Sequence, residues 1–151
     1  MKSEKVTSFF IFHFSFFILH FLMTLQDNLF TILSHEAGQP AFHVQLHPEW
    51  PVYKAHFPGH PITPGVCIVQ MVQELLQVHL DSSAAQNQPK HRLQLWKAKN
   101  VKYTSIVSPE EVTELTVSFP KIEPQPDGSL KVQAQVLNGE TLCTKLSATF
   151  R

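Results

Sequence analysis

The stretch of this chain best suited to chemistry runs from 56 to 66 and has the sequence HFPGHPITPGV. Its prolines each fix the backbone φ at about −65°, so the loop can hold the imidazole of His56 in one place. Gly65 opens a helical pattern, and the first N–H groups of a helix lack intrahelical acceptors and carry the positive end of the dipole. A fixed imidazole beside such N–H groups suits reactions at a carbonyl. A rigid structural loop explains the same residues equally well.

A long helix must follow this loop. Its pattern extends from about Gly65 to Asp81, with Thr63 as the predicted N-cap and Pro64 at the first helical position. Polar side chains on it form one narrow stripe, and nearly all others are apolar, which predicts a helix buried on most sides. The stripe is either functional or simply the helix face that meets solvent or ordered water. It consists of Gln70, Gln73, Glu74 and Gln77.

The remaining elements are mostly strands. Apolar and polar residues alternate over 42–46, 115–119, 130–136 and 142–150, and 92–103 predicts another strand or two. Asn138-Gly139 predicts a hairpin with a type I′ turn. Helical spacing from Leu25 to Leu33 predicts a short amphipathic helix, and 48–64 predicts a proline-rich loop. One buried helix with a late run of antiparallel strands predicts an α+β fold in which a sheet wraps a helix.

The loop also resembles a known signature. His56-Phe57-Pro58-Gly59, followed by Pro61 and by Pro64-Gly65-Val66, is similar to the HFPGxPxxPG motif of the beta-hydroxyacyl-ACP dehydratases. A weaker similarity continues through 101–103 and 107–109 and covers most of 23–151. The resemblance implies the hotdog fold, in which an antiparallel β-sheet wraps a long central helix and two chains pair edge to edge.

The same resemblance implies an activity. His56 would remove the Cα proton of a 3-hydroxyacyl thioester on an acyl carrier protein, while the Gly65 N–H would hydrogen-bond the thioester carbonyl. An acidic residue on the central helix of the other subunit would help expel the hydroxyl, leaving a trans-2-enoyl thioester. The implied assembly is a homodimer or a hotdog heterodimer, and the implied reaction needs no metal or organic cofactor.

The chain differs from that family at the position of the acidic catalytic residue. The family's Glu or Asp lies fourteen residues after the histidine, where this chain has Gln70, and a carboxamide cannot donate a proton as a general acid. Glu74 lies one turn later, about 6 Å along the axis. Three hypotheses follow: Glu74 substitutes, His56 serves as both base and acid while Gln70 positions the hydroxyl, or the enzyme is weakened or repurposed. The glutamine also fits a divergent branch serving polyketide-like or aryl polyene pathways.

The composition and the cysteine and histidine spacing argue against several kinds of partner and site. Twelve basic and twelve acidic residues give no net charge, which argues against nucleic acid as the main partner. Two cysteines and no CxxC motif provide neither a disulfide framework nor a zinc site, and the proline between His56 and His60 excludes a helical two-histidine metal pair. His60 is predicted to be a solvated loop residue. Cys67 is predicted to pack in the core rather than to act as a nucleophile.

Residues 1–22 stand apart from this domain. Ser8–Phe14 is repeated with one change as Ser15–Phe21, a phenylalanine-rich unit of seven residues. The segment is short for a transmembrane helix and lacks a small-x-small cleavage site of a signal peptide. We interpret 1–22 as an extension, either a hydrophobic leader or the product of a start upstream of Met23, and 23–151 as the domain. A start at Met23 predicts a cytoplasmic protein with no stable membrane insertion.

Three functional hypotheses are compatible with the sequence. The first is dehydration of 3-hydroxyacyl-ACP in fatty acid or related acyl-chain or polyene biosynthesis. The second is a hotdog acyl thioesterase, which would use a carboxylate on the helix to activate water against the thioester. The third is a non-catalytic acyl-binding subunit of a heterodimeric dehydratase, which the glutamine at position 70 favours and the retained His56 opposes.

Overall fold

The computed structural model describes residues 24–84 and 91–151. In these ranges two strands, two helices and four further strands follow one another along the chain. They are β1 (Phe30–His35), β2 (Ala41–Leu46), α1 (Val52–Ala55), α2 (Gly65–Ser83), β3 (Leu95–Tyr103), β4 (Glu114–Pro124), β5 (Leu130–Asn138) and β6 (Thr141–Phe150). The predicted extension 1–22 lies outside the described residues. None of the helices in the described ranges is long and apolar enough to cross a bilayer.

The six strands form one antiparallel sheet in the order β1-β2-β4-β5-β6-β3. Side chains alternate between the two faces of a strand, and the inward ones on β2, β4, β5 and β6 are buried. They form one core with the buried side of α2, which consists of Cys67, Ile68, Met71, Val72, Leu75 and Leu76. The predicted α+β fold with one mostly buried helix is therefore confirmed.

Three local predictions are wrong for identifiable reasons. Residues 25–33 do not form a helix, because Asp27 adopts a left-handed φ of 66° and the chain enters β1 at Phe30. Thr63 does not cap α2, whose N-cap is Pro64, because the Thr63 hydroxyl instead bonds the Tyr53 hydroxyl. The β5–β6 turn has Gly139 as its first central residue, since Asn138 pairs with Thr141. Only Gly139 has a positive φ there, which fits type II′ rather than I′.

Two other predictions are refined. The proline-rich segment 48–64 contains the short helix α1, and 92–103 provides a single strand. That strand, β3, lies at the edge of the sheet and pairs only with β6 among the described strands. Large apolar side chains remain exposed on it, including Trp96 at 62% and Tyr103 at 52%. The edge of the sheet next to the candidate loop is thus open within a single chain.

Candidate active site

The HFPG segment folds into a tight turn. The N–H of Phe57 donates to the carbonyl of His60 at 3.2 Å, and the N–H of His60 donates back to Phe57 at 3.0 Å. Pro58 and Gly59 are the central residues, and Gly59 has a φ of 78°. Proline followed by a residue of positive φ is the sequence pattern of a type II turn. The motif therefore fixes the direction in which the chain leaves and returns on either side of His56.

His56 is held at the end of α1 by its backbone and its ring. Its N–H donates to the carbonyl of Val52 at 2.9 Å, and its own carbonyl accepts from the N–H of Ile62 at 2.9 Å. The ring Nδ1 lies 3.3 Å from the carbonyl oxygen of Ile62. Because a carbonyl oxygen only accepts, Nδ1 is the nitrogen that donates. In the neutral ring this leaves Nε2 as the nitrogen able to take a proton.

The approach to Gly65 is anchored on both sides. The N–H of Thr63 donates to the carbonyl of Val107 at 2.8 Å, and the Thr63 hydroxyl lies 3.0 Å from that of the buried Tyr53. Within α2, the N–H of Cys67 bonds the carbonyl of Pro64 at 3.0 Å. The N–H of Gly65 precedes that residue in the first turn, where helix geometry provides no intrahelical acceptor. It is suited to bind a developing negative charge.

Gln70 and Glu74 contact each other and a different part of the chain. The Glu74 carboxylate accepts from the N–H of Leu25 at 2.8 and 3.0 Å and from the N–H of Gln26 at 2.9 Å. The Gln70 amide donates to the same carboxylate at 3.0 Å. Glu74 therefore anchors the segment that leads into β1, and both of its oxygens are engaged.

The other two glutamines of the stripe bind the segment that leads into β3. The Gln77 side chain accepts from the N–H of Leu93 at 2.7 Å and donates to the carbonyl of His91 at 3.1 Å. Gln73 in turn donates to the carbonyl of Leu93 at 3.1 Å and accepts from Leu95 at 3.2 Å. The stripe thus binds two backbone segments instead of simply meeting solvent. It lines a groove of about 360 Å³ between them.

The four residues predicted for the site therefore form two groups. His56 and Gly65 are joined by the short rigid segment through Ile62 and Thr63. Gln70 and Glu74 face residues 24–26, so the contacts of their side chains within the chain do not include the HFPG turn. A helix from a second subunit, as the dehydratase resemblance implies, is the arrangement that would bring Gln70 to His56.

Two contributors to the site were not predicted from the sequence. The Ile62 carbonyl orients His56, but a backbone acceptor leaves no trace in side-chain patterns. Tyr103 packs on Gly65 so closely that an added Cβ would lie 2.6 Å from both its Cζ and its hydroxyl oxygen. The glycine is thus needed for close approach as well as for its N–H. The only sequence signal for Tyr103 was its place in the weakly similar stretch 101–103.

Cys67 lies in the core, next to the start of α2. Cys67 has no exposed surface, and burial raises the pKa of its thiol to about 12. At neutral pH it is a protonated core side chain, so it is not a nucleophile. His60 is exposed, as expected. In the two described ranges, no group of three or more His, Cys, Asp or Glu side chains is placed to hold a metal ion.

Comparison with known proteins identifies the family. Residues 33–142 match the model of the ApeI-like family, described as ApeI dehydratase. The chain belongs to the ApeI-like dehydratase family. The matched region contains the HFPG turn, α1, α2 and the whole of β2, β3, β4 and β5.

Solved structures agree on the fold. The dehydratase heterocomplex ApeI:P from Xenorhabdus doucetiae superposes with a TM-score of 0.51 at 16% identity, covering 80% of this chain and 96% of that one. A putative thioesterase from Ralstonia eutropha gives 0.56 at 9% identity, covering 83% and 86%. A thioesterase from Staphylococcus aureus gives 0.57 at 10% identity, covering 83% and 94%. At these identities the likeness establishes the hotdog fold of this ApeI-like chain.

Proposed function

We propose that this ApeI-like protein dehydrates a 3-hydroxyacyl thioester carried by an acyl carrier protein to the trans-2-enoyl thioester. The observation that carries the proposal is the orientation of His56, whose Nδ1 lies 3.3 Å from the Ile62 carbonyl oxygen. That contact directs Nε2 to the role of base. Membership of the ApeI-like dehydratase family and the adjacent helix N-terminus at Gly65 support the same reaction.

The first step is removal of a proton from Cα of the substrate. His56 Nε2 takes the proton, and the electron pair of the C–H bond moves toward the thioester carbonyl. The Gly65 N–H binds that oxygen as it gains charge, an interaction that strengthens in the transition state. Proton removal next to a thioester is thereby coupled to a donor held in place by the start of α2.

The second step expels the 3-hydroxyl as water. The electron pair held by the enolate returns to form the Cα=Cβ double bond, and the C–O bond breaks with its electron pair going to the oxygen. The imidazolium of His56 gives that oxygen the proton that completes water. The second subunit orients the hydroxyl from the helix position that Gln70 occupies in this chain; in a second copy of this chain the carboxamide of Gln70 does so, and in a heterodimer the partner's residue at that position does. Glu74 is not assigned as the acid in this proposal, because its carboxylate accepts from Leu25 and Gln26 and holds the β1 segment.

A thioesterase is the second enzymatic candidate, because two solved structures with the same fold are described as thioesterases. That reaction needs a carboxylate on the central helix to activate water. In α2 the first carboxylate is Glu74, which is engaged with backbone N–H groups. The next is Asp81, two turns further, which accepts from Gln77 at 3.0 Å. Dehydration therefore suits this helix better than hydrolysis.

A lysine-rich face on β3 and β6 supports the proposal that the acyl substrate is attached to an acyl carrier protein. Lys102 on β3 lies directly opposite Lys145 on β6, and like charges opposite each other destabilise a sheet. With Lys99 they line a cavity of about 310 Å³ that has no carboxylate in its lining. An anionic partner, such as the phosphate-bearing arm of a carrier protein, relieves that repulsion. Lys102 precedes Tyr103, so a carrier docked there would stand beside the strand that borders the site.

A hotdog heterodimer is the assembly favoured by the open edge. β3 carries Lys97, Lys99 and Lys102 and no acidic residue. Self-pairing along β3 would therefore place no carboxylate opposite any lysine, whereas a partner with an acidic edge strand would. The ApeI:P relative is described as a heterocomplex. We expect self-association of this chain, measured by light scattering, to strengthen with added salt, which screens the lysines. Salt-independent dimers would argue for a homodimer instead.

The decisive assay incubates the protein with short and medium 3-hydroxyacyl-ACPs and follows the acyl mass. Loss of one water that disappears in His56→Ala and persists in His60→Ala, a matched histidine of the same turn, supports the proposal. Release of free acid identifies a thioesterase. No change with any substrate, alone or with a hotdog partner from the same genome, contradicts catalysis and leaves the acyl-binding subunit.

A further inference from the structure

Tyr103 occupies the space where any other residue at position 65 would place its side chain. A Cβ on Gly65 would lie 2.6 Å from the Tyr103 Cζ, 2.6 Å from its hydroxyl oxygen and 3.1 Å from its Cε1. The phenol edge and its oxygen therefore rest on the first residue of α2. Tyr103 remains 52% exposed, so the ring borders the solvent side of the helix start.

The hydroxyl is close enough to the Gly65 N–H to share an acceptor with it. From the 2.6 Å separation and ordinary bond lengths, the hydroxyl oxygen lies at most about 5.6 Å from the Gly65 nitrogen. An oxygen that accepts at about 2.9 Å from an N–H and at about 2.7 Å from an O–H joins donors up to about 5.6 Å apart. One carbonyl oxygen can therefore accept from both groups at once.

The hydroxyl is also chemically suited to donate. Within 24–84 and 91–151 the Tyr103 oxygen has no hydrogen-bond partner. Burial, together with the nearby Cys67 thiol, raises the pKa of Tyr103 above its ordinary value of 10.0, so the phenol keeps its proton at neutral pH. A substrate oxygen next to Gly65 would thus meet a protonated hydroxyl.

We propose that the Tyr103 hydroxyl is a second donor to the substrate's thioester carbonyl, acting beside the Gly65 N–H. This role rests on the proposed carbonyl chemistry of the site. As charge moves onto the oxygen during removal of the Cα proton, both donors bind it more strongly. The Tyr103 ring excludes any side chain at position 65, and its hydroxyl completes the oxyanion site.

The test compares Tyr103→Phe with Tyr53→Phe, since the chain has two tyrosines. Tyr103→Phe keeps the ring against Gly65 and removes only the oxygen. We expect its kcat for dehydration to fall about 100-fold with KM little changed, as for loss of one oxyanion donor. Tyr53→Phe loses its bond to Thr63, which anchors the approach to Gly65, so it measures how far a purely structural loss lowers kcat. A fall in kcat for Tyr103→Phe no larger than that for Tyr53→Phe would overturn the proposal. Equal kcat for Tyr103→Phe and the unmodified chain would overturn the proposal.

A binding measurement keeps this test separate from the proposed function. Two uncharged probes are used, an unreactive ketone in which a methylene replaces the thioester sulfur and the matching hydrocarbon in which the carbonyl is a methylene as well. We expect Tyr103→Phe to lose about tenfold affinity for the ketone and none for the hydrocarbon. If the unmodified chain turns over no substrate, dehydration fails as its function, while this pair still decides the donor role. Equal loss for both probes, or loss for neither, would overturn it.

Discussion

Removing the Glu74 carboxylate tests whether it is an anchor or an acid. It accepts from two backbone N–H groups, those of Leu25 and Gln26, and Leu25 has no exposed surface. Hydrogen bonds to a charged group each contribute about 1.5–3 kcal/mol, and a half-buried site falls at the lower end. We therefore expect Glu74→Ala to lower the free energy of unfolding by about 3 kcal/mol. Glu74→Gln keeps one acceptor oxygen, and we expect it to cost about 1–2 kcal/mol.

The two roles of Glu74 also predict different rates of dehydration. If Glu74 only anchors the β1 segment, Glu74→Gln should dehydrate substrate within about threefold of the unmodified chain. A general acid would instead contribute about 10²–10⁴-fold. Stability is measured by urea denaturation and the rate by the acyl-mass assay, with Glu110→Gln as an exposed carboxylate control.

Two results would refute this reasoning. A 100-fold slower but stable Glu74→Gln would make Glu74 the acid and return the site to the ordinary dehydratase scheme. A Glu74→Ala chain as stable as the unmodified one would mean that the contacts with Leu25 and Gln26 do not anchor β1.

Three further predictions concern side chains of α2 and the core. Gln70→Glu should lower stability by about 0.5 kcal/mol or more, because two carboxylates then meet where the Gln70 amide now donates to Glu74 at 3.0 Å. Because Glu74→Gln removes that repulsion, the double variant should lose less stability than the sum of the two single losses. Cys67 and Cys143 should be inert to Ellman's reagent in the native chain and should both react in urea, because burial raises the pKa of each thiol. Burial and, secondarily, a neighbouring histidine lower the pKa of His79, so its neutral form is favoured in the folded state. The unfolded chain therefore binds more protons as pH falls below 6.5, and the free energy of unfolding should decrease there, less so in His79→Gln.

Each of these has a contrary outcome. A double variant at 70 and 74 whose loss equals the sum of the two single losses would show that repulsion between the two side chains is not the source of the Gln70→Glu loss. Fast labelling of either cysteine in the native chain would mean that the core opens there. An unchanged acid slope in His79→Gln, compared with the exposed His91→Gln, would assign the pH dependence to other groups.

The sequence predicted most of the strands and the long helix because their patterns repeat over many residues. Alternation on 115–119 and 142–150 reflects one buried face, and tertiary packing agrees with it. The failure at 25–33 has a different cause. Leu25 and Leu29 are indeed buried, and the N–H of Leu29 donates to the carbonyl of Leu25 at 2.8 Å as in one helical turn. The turn does not continue because Asp27 is left-handed and Phe30 pairs with Leu46 of β2. Pairing with a strand outside the segment leaves no pattern in residues 25–33 themselves.

The sequence predicted the HFPG motif of the candidate site, but it did not predict the contacts that hold the site's residues in place. Prolines and glycines identified the HFPG turn, because few other residues fit a type II turn. The polar stripe on α2 was equally visible in the sequence, but the groups that its side chains bind were not. Whether Gln73 binds water, substrate or the backbone of Leu95 depends on which segment packs there, and only the fold decides that.

The position of β3 has a consequence for the order in which the site assembles. Leu95 of β3 pairs with Phe150 of β6, and Gln94 and Arg151 exchange backbone hydrogen bonds of 2.7 and 2.9 Å. During synthesis, β3 therefore has no strand to pair with until the ribosome has also released β4, β5 and β6. The HFPG turn and α2 exist earlier, but Tyr103 is fixed over Gly65 only when that distant pairing closes, a step whose entropy cost slows folding. Defects in β6 should thus abolish activity in chains whose other strands still pair.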